Sequence, residues 1–415
     1  MNEDTKAARF YKDALEVLNT IENAGYEARL AGGCVRDRLL GILPNDYDVA
    51  TTSKPEETCA IFEQKGHKVV PTGIAFGTVT VVMPSGPVEV TTLRTDIDSD
   101  GRHAKVDFAA DFKEDAARRD FTINAMSEDA AGQVYDYFLG RKDLENRFLR
   151  FVGNTEERIR EDYLRIMRFF RFWARFELTP DKEALVAFGK HATGLDSISQ
   201  ERKIGELLGL LKASDPSLAL AEMWKCGVLQ HTLDSLAKKP EPFVTLGDSF
   251  PAQQIPIVRL FQLCDLHNFS AKKQSVQKTL KLSSLHVRWL GSLKLEQQHL
   301  PSTDDTAAVL EFIQQRERKL PRGSVQQVHL PFWSAYYPGR KAELEKIESI
   351  ETKHGHRRHK QIPFNGRDLE EAFNIPAGPE TGRLLNLLKM AFYRGHVTTR
   401  REAEEFLRKL VEKSE

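Results

Sequence analysis

The chain has 415 residues, enough for roughly two to four domains at about 150 residues each, which excludes a peptide or a small module that depends on covalent staples. Hydrophobic residues make up 40% and charged residues 29% of the chain, a globular composition that argues against extensive disorder. Lys and Arg number 60 and Asp and Glu also 60, so no whole-chain field announces a nucleic-acid or membrane partner, and any such binding rests on local patches.

From the N-terminus, MNEDTKAARFYKDALEV is charged and lacks the apolar core and small-residue cleavage site of a signal peptide. Phe10, Ala14, Val17, Leu18 and Ile21 fall at helical spacing and stop before Gly25, which predicts an amphipathic opening helix. Cys34, Cys59, Cys226 and Cys264 stand far apart without a CxxC or Cys/His metal spacing, so they read as reduced thiols. No run approaches the roughly 18 apolar residues of a membrane span. A cytoplasmic protein without a membrane partner is expected.

Up to about residue 145 short β-branched runs predominate. GTVTVVM (Gly77 to Met83) and VEVTTL (Val88 to Leu93), joined through Pro84, Ser85 and Gly86, predict a hairpin within a mixed sheet. Beyond that point strand signals almost vanish, and long helical patterns follow, from EERIREDYLRIMRFFRFWARF to LAEMWKCGVLQHTL. The fold class is therefore α+β, a mixed-sheet unit followed by all-α regions. Pro301 to Thr306 and the basic run Lys353 to Lys360 read as loops or linkers between helical subdomains.

Several clusters carry chemistry. Gly32 and Gly33 leave the backbone open at a strand-to-helix turn, and Arg36 follows, a combination that suits a phosphate but also serves as an ordinary turn. Asp46 and Asp48 flank Tyr47; on a strand such residues share a face about 6.6 Å apart, so two hard carboxylates can converge on Mg²⁺ ions and a triphosphate. Glu89 alternates with Val88 and Val90, which makes it either a third metal-facing carboxylate or an exposed strand glutamate. Arg119, Asp120 and Asn124 supply a phosphate fork and ribose-bonding groups, and read locally also as a helix-start ion pair. In IREDYLRIMRFFRFW, helical steps place Asp162, Arg165 and Arg168 along one slowly rotating edge, with Arg171 beyond, among core aromatics. A rigid Asp/Arg pair there offers acceptors and donors to the edge of a base.

Taken in order, GGCVRDRLLG, DYD, GTVTVV, DGRHA, RRDFTINAM and EDYLRIMRFFRF resemble the class II tRNA nucleotidyltransferase (CCA-adding) and bacterial poly(A) polymerase family, a branch of the polymerase β-like nucleotidyltransferases. IPFNGRDLEEAFNIPAGPETGRLL is similar to that family's C-terminal region. The resemblance implies a catalytic head at 1–145, a base-recognising neck at 146–205, a helical body at 206–300 and a tRNA-binding tail at 301–415. It implies metal binding by Asp46 and Asp48; Glu89, from its place on the hairpin rather than from the resemblance, is a candidate catalytic carboxylate beside them. Gly33 and Arg36 match triphosphate positions, Arg119, Asp120 and Asn124 the sugar-and-phosphate motif, and Asp162, Arg165, Arg168 and Arg171 the nucleotide-binding neck motif. The implied activity is addition of C, C and A to a tRNA 3′ end from CTP and ATP with Mg²⁺. The alternatives are A-only or poly(A) synthesis and, in another class, an inactive RNA-binding module, which intact Asp46 and Asp48 oppose. Arg94 to His103 resembles the flexible loop for switching from C to A addition, and PTGIAFGTVTVV is closer to CCA-adding members than to poly(A) polymerases. Arg357, Arg358, Lys360, Arg394, Arg400 and Arg401 are candidate RNA contacts.

Overall fold

The computed structural model describes residues 3–74, 77–99, 104–107, 111–243, 245–246, 248, 250–264, 280–298, 300–318, 320–321, 323–359, 362 and 364–412. They form two compact units, 1–240 and 241–415. Among them no helix is long and apolar enough to cross a membrane.

The first unit opens with α1 (Glu3–Asn23), β1 (Ala28–Ala31), α2 (Gly33–Leu39), β2 (Asp48–Thr51), α3 (Pro55–Gln64), β3 (Lys68–Gly73), β4 (Thr78–Met83) and β5 (Gly86–Thr92). Then come β6 (Thr95–Ser99), β7 (Ala104–Asp107), α4 (Phe112–Ala117), β8 (Met126–Glu128) and β9 (Val134–Asp136). Seven strands make one mixed sheet in the order β3-β4-β5-β2-β1-β8-β9, as the strand patterning predicts. α1 buries Ala14, Val17, Leu18 and Ile21 completely, and the helix ends before Gly25, whose φ of 90° only glycine adopts freely. The predicted hairpin is β4-β5, with Met83 opposite Gly86 across Pro84 and Ser85. Val79, Val81, Val88 and Val90 are buried, which leaves Glu89 on the other face. β2 and β5 run parallel, in a register that sets Asp48 beside Glu89. β6 and β7 pair separately, and residues Asp100 to His103 of the expected switching loop lie outside the described residues, as does Phe76.

The rest of this unit is mainly helical, with one short parallel pair, β10 (Phe148–Leu149) and β11 (Thr179–Pro180); its helices are α5 (Gly140–Glu145), α6 (Thr155–Glu161), α7 (Leu164–Phe176), α8 (Lys182–His191), α9 (Gln200–Leu210), α10 (Ser217–Lys225) and α11 (Val228–Leu233). Phe169 of α7 packs against Phe121 at 5.7 Å, Phe151 at 5.6 Å and Phe188 at 5.0 Å. Head and neck therefore share one aromatic core, which fixes α7 relative to the sheet.

The structure corrects one expectation. The helix expected through IREDYLRIMRFFRFW breaks at Asp162, which has φ −153° and ψ 106° and separates α6 from α7. Its carboxylate accepts the Leu164 N–H at 3.0 Å, a local bond that competes with helix continuation. Residues 205 and 206 lie within α9, whose Ile204, Leu207 and Leu210 are buried and which packs on α7; the first compact unit runs to residue 240.

The second unit is helical, with segments that include Ile255–Leu263, Ser284–Gln298, Thr306–Glu317, Lys341–His354, Pro379–Arg394 and Arg400–Val411. Leu369, Leu384, Leu388, Ala403 and Leu407 form one of its cores. Several candidate RNA contacts are engaged internally: Arg357 donates to the Tyr393 carbonyl at 2.9 Å, Arg394 to Asp305, and Arg400 pairs with Asp368. Arg401, by contrast, is 90% exposed beside Glu405. The Arg358 side chain and Lys360 lie outside the described residues.

Candidate active site

β1 delivers the chain into Gly32, which sits at φ 79° and ψ −122° as the cap of α2, a conformation that strains any residue with a Cβ. A Cβ on Gly32 would lie 2.3 Å from Nη1 of Arg119, so this glycine also admits an arginine against the backbone. Gly33 and Arg36 follow on α2. Arg36 is buried and donates from Nε to Asp37 at 2.8 Å and from Nη1 to Asn124. Its guanidinium stacks over Phe176 at 4.6 Å. The expected triphosphate residue is thus tied into the wall of the site.

Asp48 starts β2, whereas Asp46 lies in the loop just before the strand. The alternation holds all the same: Tyr47 is buried against Phe10 at 5.1 Å, while Asp46 and Asp48 line the opposite side, in one cleft. Asp48 is half-buried, and burial together with the neighbouring charges of Asp46 and Glu89 pushes its carboxyl up to about 6, against the pull of Arg119. This crowding of negative charge fits a divalent cation, which would favour the ionised form. Among the described residues no group of three or more His, Cys, Asp or Glu side chains converges on a metal position. Glu89 lines an adjoining cleft that also touches Asp48.

Asp120 is the hub of the sugar-and-phosphate cluster. Its Oδ1 accepts from the Phe121 amide at 2.8 Å and from Asn124 Nδ2 at 2.9 Å. Its Oδ2 accepts from Arg168 Nε at 2.8 Å and Nη2 at 2.7 Å. Burial acts to raise its pKa, but Arg168, Asn124 and the Phe121 amide outweigh it and hold Asp120 below the ordinary carboxylate value. The local alternative of a helix-start ion pair belongs instead to Asp115, three and four residues before Arg118 and Arg119. Asp120 serves as the tie between head and neck.

The neck residues face the same space but pair differently from the expected Asp/Arg couple. Asp162 accepts from Arg202 at 2.8 Å. Arg165 donates to Glu161 at 2.5 Å and to the Arg118 carbonyl at 3.1 Å. Arg171 meets Glu206 at 2.7 Å, at an angle outside hydrogen-bond geometry. Burial pushes the Glu206 carboxyl up even though Arg171 and Arg168 favour its charge. Asp162 and Arg165 are therefore held by separate partners rather than by each other.

One cleft of about 570 Å³ gathers Gly33, Arg36, Asp46, Asp48, Arg119 and Asp120 with Asn124, Asp162, Arg165, Arg168 and Arg171. Arg118, of the RRDFTINAM segment, lines it too, and so do Asp37, Asn45, Phe172 and Arg175, which were missed from the sequence. The i,i+3 and i,i+4 spacing of Asp115 to Arg118 and Arg119 was a usable signal; Glu206, which meets α7 only through the tertiary fold, gave none. Seven arginines face five aspartates in the cleft lining, a surplus suited to a polyphosphate.

Residues 28–150 match the family model described as the poly A polymerase head domain, and residues 177–239 match the one described as a probable RNA and SrmB-binding site of polymerase A. The chain is 44% identical over 211 residues to the mitochondrial CCA tRNA nucleotidyltransferase 1 of Danio rerio, an alignment covering 50% of this chain and 49% of that protein. It thus spans about half the length of that relative. To the CCA-adding enzyme of Streptococcus mutans it is 33% identical, with 97% of this chain and 98% of that one covered. The crystal structure of the Bacillus stearothermophilus CCA-adding enzyme in complex with CTP superposes with a TM-score of 0.77 at 25% identity, covering 97% of this chain and 98% of that one.

Proposed function

The chain belongs to the CCA-adding family of tRNA nucleotidyltransferases, and on that premise we propose that it adds C, C and A to tRNA 3′ ends from CTP and ATP without a nucleic-acid template. One observation carries the reading: a single cleft joins the head carboxylates Asp46 and Asp48 to the neck groups Asp162 and Arg165. A base read at the neck thereby places its triphosphate at the carboxylates.

In the reaction the RNA 3′-hydroxyl attacks the α-phosphorus, the new phosphodiester forms, and pyrophosphate leaves. Asp46 and Asp48 would hold Mg²⁺, which supplies charge neutralisation at the transferring phosphate and lowers the pKa of the attacking hydroxyl. Arg118 and Arg119 stand beside Asp48 and orient phosphate. Asp162 and Arg165 present a fixed acceptor and donor to the base edge, and Phe172 lies in the same wall as an apolar surface. Glu89, next to Asp48 in register, faces the neighbouring cleft, a place suited to a carboxylate near the attacking hydroxyl.

The test is nucleotide choice. The parent chain incorporates CMP and AMP in preference to GMP and UMP. Arg165→Ala lowers CTP-over-UTP discrimination by at least about tenfold with the fold retained, because a site built to hydrogen-bond loses selectivity when one partner is removed. Single-turnover incorporation of each nucleotide checks this; a uniform rate loss with unchanged selectivity recasts Arg165 as a phosphate or scaffold contact.

A further inference from the structure

Asp115, on α4, is buried and lies outside the motifs that carry the family resemblance. Its carboxylate divides between two arginines. Oδ1 accepts from Arg118 Nε at 2.8 Å and Nη2 at 2.6 Å, and Oδ2 accepts from Arg119 Nη2 at 3.2 Å. Burial alone would raise its pKa; Arg119 and Arg118 hold it below the ordinary value.

The placement of these arginines is distinctive. A second cleft of about 210 Å³, bordered by Thr78, Glu89, Thr91 and Arg94, adjoins the nucleotide cleft. Asp48, Arg118 and Arg119 line both. The arginine pair therefore forms part of the divide between the two clefts. Without an anion between them, two adjacent guanidiniums repel; Asp115, which also lines the second cleft, forks them together and leaves the trio one net positive charge. Three further contacts leave little slack: Gly32 admits Arg119 against the backbone, Arg119 Nη1 reaches the Asn124 carbonyl at 3.4 Å, and the Arg118 carbonyl holds Arg165 at 3.1 Å.

We propose that Asp115 is a positioning residue that locks Arg118 and Arg119 into a phosphate clamp on the divide between the two clefts, and that its influence on nucleotidyl transfer runs through those two guanidiniums. The inference rests on the nucleotidyl-transfer reading given above. The clamped group is a phosphate, either of the nucleoside triphosphate or of the RNA 3′ end. Asp115→Asn keeps the shape but turns N–H groups toward an arginine N–H, so one arm of the clamp is lost.

The experiment uses the full chain with Mg²⁺ and compares the parent, Asp115→Asn, the double variant Arg118→Gln/Arg119→Gln and the triple variant. Calorimetry measures inorganic tripolyphosphate and cytidine binding; steady-state kinetics give kcat and the KM for CTP and for tRNA lacking CCA. Asp115→Asn is expected to lower kcat at least about tenfold and to weaken phosphate recognition about tenfold, with cytidine affinity within about twofold, as loss of a charge-assisted fork predicts. Weaker tripolyphosphate binding with a raised KM for CTP assigns the clamp to the triphosphate; a raised KM for tRNA alone assigns it to the RNA. In the double-variant background Asp115→Asn is expected to change these quantities by no more than about twofold, because its route of action is already gone. Parental constants in folded Asp115→Asn overturn the proposal, and so does a further tenfold loss in the double-variant background. If Asp115→Asn fails to fold, Arg118→Lys, which keeps charge but surrenders the fork, carries the same expectations. A parent chain that binds tripolyphosphate yet transfers neither CMP nor AMP contradicts the functional reading and leaves the binding test of Asp115 intact.

Discussion

Asp46→Ala and Asp48→Ala are each expected to lower turnover by at least about 10³, because either change removes a carboxylate proposed to hold the metal and with it the neutralisation of the transferring phosphate. Stability is expected to stay near the parent value. Asp46 is exposed, and Asp48 is held ionised at neutral pH against burial, Asp46 and Glu89, which together raise its carboxyl to about 6. Removing one member of a mutually repelling set relieves that opposition. A carboxylate cluster that works against folding is the signature of a site kept for chemistry. Single-turnover CMP incorporation, with circular dichroism and thermal midpoints alongside, checks both halves. Turnover within tenfold of the parent in either folded variant contradicts the assignment of these carboxylates.

Asp120→Ala has the opposite balance, a large loss of both stability and activity. The carboxylate accepts four hydrogen bonds, two of them from Arg168. Breaking a buried ion pair from one side costs about 3 to 5 kcal/mol, and the lower end applies here because Arg168 is 32% exposed and retains Glu206 at 3.8 Å. The expected cost is therefore about 3 kcal/mol, together with a rate loss of at least about 10², since freeing Asn124 and Arg168 loosens both the Arg36 wall and the head-to-neck tie. Because the folded-state pKa of Asp120 is lowered, this stabilisation is complete above the ordinary carboxylate range and is lost as pH falls through the lowered folded value. Urea unfolding at neutral and acidic pH measures it. A loss below about 1 kcal/mol at neutral pH contradicts the hub role.

What was legible in the sequence was local. The Gly-Gly turn and the β4-β5 hairpin are set by turn chemistry and alternation within a few residues and stand where the pattern puts them, whereas only Asp48 of the DYD pair lies on a strand, Asp46 preceding it in the loop. The EDYLR segment was only half legible. Its Asp162 and Arg165 line the cleft, but helical spacing could not show that the Asp162 carboxylate captures the Leu164 amide and ends a helix. The pairings were the illegible part. Asp120 finds Arg168 48 residues away, Arg36 finds Asn124 88 residues away, and Asp162 finds Arg202 40 residues away. Such partners are chosen by the shared aromatic core that brings α7 to the sheet, and no local spacing encodes them. Nor does any local spacing show that the apolar face of α9 is completed by α7.

The most direct test of the account is the length of the product. Transcribed tRNA lacking its 3′ CCA is incubated with the full chain, Mg²⁺, and CTP and ATP separately and together, and products are sized to one nucleotide. A site in which a fixed base reader and a fixed carboxylate pair enclose one cleft fills as the 3′ end grows into it. Addition is accordingly expected to stop after C, C and A with both nucleotides present, after the two C residues with CTP alone, and to be slight with ATP alone. A long adenylate ladder on unstructured RNA, made with ATP alone as fast as CCA is made on tRNA, would contradict the account and assign the chain to poly(A) synthesis.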